Sequence, residues 1–86
     1  MPYIPRSERQ RAERCPETPG ELNYAITVMI DNYIREKGVS YALLNEIIGV
    51  LGCVTHELYR RIFVPYEKEK CVANGEVYTC FPRKEP

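Results

Sequence analysis

Between Leu44 and Ile62 an apolar residue recurs every three or four positions, at Leu44, Ile47, Leu51, Val54, Leu58 and Ile62, and no proline interrupts the run until Pro65. Recurrence at that interval is the mark of a helix with one buried face. At about 1.5 Å per residue, residues 41–63 would form a rod of roughly 35 Å. Leu43, Ile48, Val50 and Phe63 lie beside the stripe, so the apolar band is wider than one partner helix from the same chain can cover. Such a rod demands more apolar cover, from the rest of the chain or from another copy.

A chain of 86 residues has little to offer. A domain of that size buries only about 60–65% of the surface its unfolded chain exposes, and small scaffolds are usually completed by disulfides, a structural metal or self-association. The opening MPYIPRSERQRAER lacks the basic stretch, apolar run and small-residue cleavage site of an export signal. The expected setting is therefore a reducing, cytoplasmic one, with Cys15, Cys53, Cys71 and Cys80 packed as thiols. The most apolar stretch, Tyr41 to Val54, carries Asn45 and Glu46 and falls short of the roughly 20 residues a membrane span needs. Self-association is the remedy left, and the expected partner is another copy. Twelve basic and twelve acidic side chains cancel, which removes the global field that gathers nucleic acid by counterion release.

Residues 1–18, with Pro2, Pro5 and Pro16, are expected to be an extended arm with one helical turn around Glu8 to Arg14. Tyr3 and Ile4 either dock somewhere or fray with it. Thr18-Pro19-Gly20-Glu21 starts a helix: threonine caps, proline occupies the first position, and glutamate can reach back. Leu22, Ile26, Met29, Ile30 and Tyr33 then form a stripe that Gly38 closes, giving a first helix over about 19–37. Ser40 is placed to cap the second, long helix. Gly49 and Gly52 inside it suggest either close approach of another backbone or plain tolerance. Pro65 opens a short third helix, PYEKEKCVA, ending at Asn74-Gly75, although the same pair suits a hairpin turn. Residues 76–86 form an extended tail. The fold class is all-α: a helical hairpin with one long helix, a short third helix and an N-terminal arm, assembled into an oligomer. The helical domain covers 19–75.

Catalysis finds little footing. Cys53-x-x-His56 with Cys71 and Cys80 gives only half of a zinc spacing, since the last two are too far apart for a close pair. A divalent cation for nucleotide hydrolysis would need paired carboxylates, yet Glu46 and Glu57 are single and no E-x-x-E occurs. A Cys53/His56 nucleophile pair lacks an orienting third group. The reading is a non-enzyme without metal or cofactor.

The better site candidate is Tyr59-Arg60-Arg61 with Pro65-Tyr66 and Lys68. Arginine offers a planar fork for phosphate or carboxylate, and tyrosine a flat face for a base. A solvated helix end whose cations complement the dipole is the competing reading. Asn23, Tyr24, Asn45 and Glu46 form a second set, read as contacts between the first two helices that fix their register.

The succession GELNYAIT, SYALLNEIIGVL, ELYRRIFVPYEKEK and NGEVY, from Gly20 to Tyr78, resembles a family of small uncharacterised proteins recurrent in tailed phages and prophages, and the opening MPYIP is similar to that family's start. The resemblance implies a protein acting in the cytoplasm of an infected bacterium, where small phage proteins commonly bind and disable a host component or signal. The expectation is a binding protein that sequesters a host nucleotide-derived or other anionic ligand at oligomer interfaces through Tyr59, Arg60, Arg61, Tyr66 and Lys68. The alternative is a protein–protein inhibitor of a host defence factor.

Overall fold

The structure is a computed structural model and describes residues 1–80. Among them there are helices and connecting coil and no strand: α1 (Arg6–Arg14), α2 (Pro19–Lys37), α3 (Tyr41–Leu58), a π-helical turn (Tyr59–Phe63) and α4 (Val64–Asn74). They fall into two compact units, residues 1–48 and residues from Gly49 on.

In the first unit α1 packs on α2. The sequence suggested an extended arm with a single turn there, whereas Arg6–Arg14 is a nine-residue helix. Its ends explain why. Pro5 precedes the first turn, where its missing donor costs nothing, Glu8 sits in the first turn, and Arg11 and Arg14 sit in the last, each sign complementing the helix dipole. Ala12 is its one buried residue and is wholly covered. Ahead of α1 the chain docks on its own fold: Arg9 Nε donates to the Ile4 carbonyl at 3.1 Å. A Cβ built at Gly20 would lie in ordinary contact with the Met1 carbonyl oxygen at 3.5 Å and Ile4 Cγ2 at 3.7 Å, so the first residues lie against the start of α2.

α2 begins as its sequence implies. Thr18 is extended, and its Oγ1 accepts from the Glu21 N–H at 3.1 Å. The return bond lands one residue early: Glu21 Oε1 accepts from the Glu17 N–H at 2.9 Å rather than from the cap residue. Gly38, with φ 86°, closes α2 by donating to the Ile34 carbonyl at 2.7 Å. Ser40 Oγ then caps α3 by accepting from the Leu43 N–H at 3.1 Å, and Leu43 is buried. The helix packed on α2 within this unit is α1, not the start of α3 as the expected hairpin required. The arm's charged helix supplies a close partner for the beginning of α2 that composition did not reveal.

In the second unit the helix does not stop at Phe63. It widens instead: the Val64 N–H donates five residues back to the Tyr59 carbonyl, and α4 follows with Pro65 in its first turn. In a regular helix the Pro65 ring would press on the carbonyl of Arg61 and offer it no donor. A π turn inserts one residue and opens the ladder at that point. α4 ends at Gly75, φ 98°, whose N–H donates to the Cys71 carbonyl at 2.8 Å, so Asn74-Gly75 closes a helix rather than turning a hairpin. Beyond it the Glu76 carboxylate accepts from the N–H groups of Val77 and Tyr78 at 2.9 and 2.8 Å. The expected tail continues through residues 81–86, which lie outside the described residues.

Little is buried. Ala12 and Leu43 are the buried apolar residues among those described, and Glu21 the buried polar one. Leu22, Ile26, Met29 and Tyr33 on α2 are exposed, as are Leu44, Val54, Leu58 and Ile62 farther on. Among the described residues no helix is long and apolar enough to cross a membrane.

Candidate functional site

The residues singled out for ligand binding lie on the π turn and α4. Tyr59 opens the π turn and stacks on Phe63, with ring centroids 5.3 Å apart and planes 23° from parallel. One turn earlier Glu57 gathers both arginines: Arg60 Nη2 donates to its Oε1 at 2.6 Å, and Arg61 Nη1 lies 3.7 Å from its Oε2. Two cations on one carboxylate leave a local surplus of one positive charge. Tyr66 has a cation over its face, but it is Lys70, 5.5 Å from the ring centroid, rather than Lys68. Lys68 lines a shallow groove with Pro65, Glu69, Val72 and Ala73. Among the described residues, none of these polar or ring contacts joins Arg60 or Arg61 to Tyr66 or Lys68. The expected residues thus fall into four places along one exposed helical segment: Tyr59 in an aromatic pair, the two arginines on Glu57, Tyr66 under Lys70, and Lys68 on its shallow groove.

A second groove has an apolar floor of Val54, Leu58 and Ile62, with Cys53, Glu57 and Arg61 around it. Arg61 therefore stands at the border of an exposed apolar face of this unit.

The second set does not come together as a register lock. Asn23 Oδ1 accepts from Thr27 Oγ1 on its own helix at 3.1 Å. Tyr24 turns to α1, where its hydroxyl donates to Glu13 Oε2 at 3.2 Å and the Arg9 guanidinium sits 5.6 Å from its ring centroid. Desolvation first, and the Glu13 carboxylate second, push the Tyr24 hydroxyl above its ordinary pKa. Asn45 and Glu46 are exposed.

Sequence reasoning missed the most developed polar cluster. Arg11 forks onto Glu21, Nη1 to Oε1 at 2.9 Å and Nη2 to Oε2 at 2.7 Å, while Nη2 also reaches Glu8 Oε1 at 2.9 Å and Nη1 the Cys15 carbonyl at 2.9 Å. Glu17 stands 3.5 Å away. Hydrogen bonds from Arg11, then the Glu17 N–H, hold the Glu21 carboxyl below its ordinary range, and Glu21 followed by Glu8 raises the guanidinium above its own. The Arg11 fork onto Glu21, its bond to the Cys15 carbonyl and the Glu17 N–H bond to Glu21 tie α1 and the connector to the start of α2, which makes the cluster a structural tie. The available signal was the capping glutamate itself, whose second oxygen needs a donor once the helix start is buried.

Among the described residues the four cysteines form no disulfide: Cys15, Cys53 and Cys80 are exposed, and the half-buried Cys71 thiol donates to Glu76 Oε1 at 3.4 Å. Among the described residues no three His, Cys, Asp or Glu side chains converge where a metal ion could be held. In class, then, this is a small all-α protein whose charged groups pair with one another along exposed helices. It belongs to the family described as Domain of unknown function (DUF6899), which matches residues 1–77. A search of curated proteins and a search of solved structures each found no match.

Proposed function

We propose that the chain is a non-enzymatic binding protein that works as a homo-oligomer and holds a small anionic ligand, a nucleotide or nucleotide-derived signal, where subunits meet. The observation that carries this reading is the pairing of Arg60 and Arg61 on the single carboxylate of Glu57, next to the Tyr59–Phe63 stack and bordering an exposed apolar face. A phosphate arriving there meets guanidinium groups already oriented and short of counter-charge. A base meets aromatic surface beside it. Tyr66 and Lys68, farther along, complete the site when a neighbouring subunit brings the groups together. The likeness of the sequence pattern to phage and prophage proteins supports a setting in the cytoplasm of an infected bacterium, where sequestering a host signal would blunt a defence.

Calorimetric titration of the full chain with mononucleotides and cyclic nucleotides tests it. Binding that Arg60→Ala and Arg61→Ala each weaken supports the reading. A folded protein silent to the whole panel defeats it.

A second reading, inhibition of a host defence protein by surface contact, is favoured by the exposure of Tyr3 at 77% and Tyr41 at 86%. Exposed tyrosines suit the centre of a protein interface. A stoichiometric protein partner in affinity capture from bacterial lysate would favour it, and a copurified ultraviolet-absorbing small molecule would favour the ligand.

A further inference from the structure

We infer that the face of the second unit built from Leu51, Val54, Leu58 and Ile62 is where a second copy of this chain packs, helix against helix about a two-fold axis. This rests on the proposed oligomer and names the surface that makes it.

Within residues 49–80 the only regular structure is the continuous helix of α3, the π turn and α4. That unit contains no second element to lay over its own apolar face. Val54, Leu58 and Ile62 remain 57%, 58% and 63% exposed. A lone helix in water is marginal, because helices in proteins draw most of their stability from packing one face. The face has the geometry of a helix–helix seam. Leu51, Val54 and Leu58 are spaced three and four apart, the repeat that keeps a seam turned toward a partner helix. The next step, Leu58 to Ile62, is one residue longer than that repeat, and it falls on the π turn, where each turn takes up about one residue more.

The border of the face selects a copy of itself over other occupants. Glu57 and Arg61 line the same groove and carry opposite charges. In a two-fold contact whatever meets residue 61 on one side meets residue 57 on the other, so an antiparallel crossing sets Glu57 against the partner's Arg61 twice over. A surface carrying both signs at that spacing is complementary to itself, and the crossing lets Arg61 exchange its loose 3.7 Å contact with its own Glu57 for the carboxylate of the other copy.

Light scattering and native mass spectrometry of the full chain at micromolar concentration test the idea. The wild type and His56→Glu, which adds a charge on the far side of the same helix, should both run at twice 10.0 kDa or more. Leu58→Glu should weaken association by about 100-fold or more, as expected for a central apolar contact present twice. Because Leu58→Glu could simply unfold, a mixing experiment stands beside it. Glu57→Lys and Arg61→Glu chains should each fail to self-associate yet combine with one another on mixing, since only the mixed pair sets opposite charges across the seam. A wild type that stays at 10.0 kDa while helical, equal behaviour of the two glutamate variants, or no mixed complex would overturn the inference. An oligomer formed through this face that binds no nucleotide upholds it and retires the ligand reading alone. A chain that binds nucleotide as a single copy does the reverse.

Discussion

The two units solve the same shortage of core by different means. Residues 1–48 tie a charged helix to the start of a second one through the Arg11–Glu21 fork, bury Ala12 and Leu43, and fold the first five residues back toward Gly20. The unit from Gly49 on contains, among its described residues, one helical run with apolar residues open along it, and Glu57, Arg60 and Arg61 pair along its length. A short chain can therefore hold one part of itself with directional polar bonds, which need no large core, and leave another part bare, the part that the proposed association would complete.

If that contrast is right, truncation should hurt in opposite circumstances in the two units. Leu43→Ala should cost about 2–3 kcal/mol at any protein concentration, because Leu43 is buried within its own unit. Leu58→Ala should cost under about 0.5 kcal/mol in a dilute single-copy state, as surface changes do, and more as concentration rises. Urea unfolding at two concentrations a hundredfold apart reads both, and a Leu43→Ala effect that depends on concentration would break the comparison. Gly38→Ala, at φ 86° where a side chain is strained, should cost about 1–3 kcal/mol in the same assay. Gly49→Ala and Gly52→Ala should instead stabilise by about 0.5–1 kcal/mol each, since nothing lies within 4 Å of either added carbon. Destabilisation there would show that a second backbone approaches the helix at those positions, as the sequence suggested.

The subtlest test is acid titration. Glu21 titrates below its ordinary 4.5 because Arg11 hydrogen-bonds its ionised form. A depressed folded-state pKa contributes stability that is complete above the unfolded value and fades as pH falls through the folded one. Amide exchange in α1 and at the start of α2 should accelerate as pH drops from 4.5 toward that lower value, after correction for intrinsic rates. Glu21→Gln should remove the step. Exchange in α4, which has no part in this tie, should show none of it.

The helices of α2 and α3, their caps at Thr18 and Ser40 and the stops at Gly38 and Gly75 were legible in the sequence, because each depends on neighbours three or four residues away. α1 was not, because its stability comes from Glu21, ten residues beyond Arg11, and a string of mixed charges gives no apolar stripe to read. The widening at Tyr59–Phe63 was half legible. Pro65 announced a disturbance, but whether a helix breaks or stretches depends on backbone adjustment upstream that carries no residue signature. The site residues were read as one group, whereas within one chain the local partners Glu57, Phe63 and Lys70 hold them apart. In the proposed assembly a second copy would bring them together, and a single sequence describes such a neighbour only through the surfaces it leaves bare.

The widened turn has a consequence for phase. Adding one residue to a helix rotates everything after it by about 100° relative to an uninterrupted spiral, so Tyr66 and Lys70 look out in a direction that the α3 ladder alone would not have given them. Shortening the Tyr59–Phe63 segment by one residue would leave the composition of α4 untouched and swing its tyrosine and its lysines round the axis. In this chain, where α4 points is set by the residues that let it pass its proline.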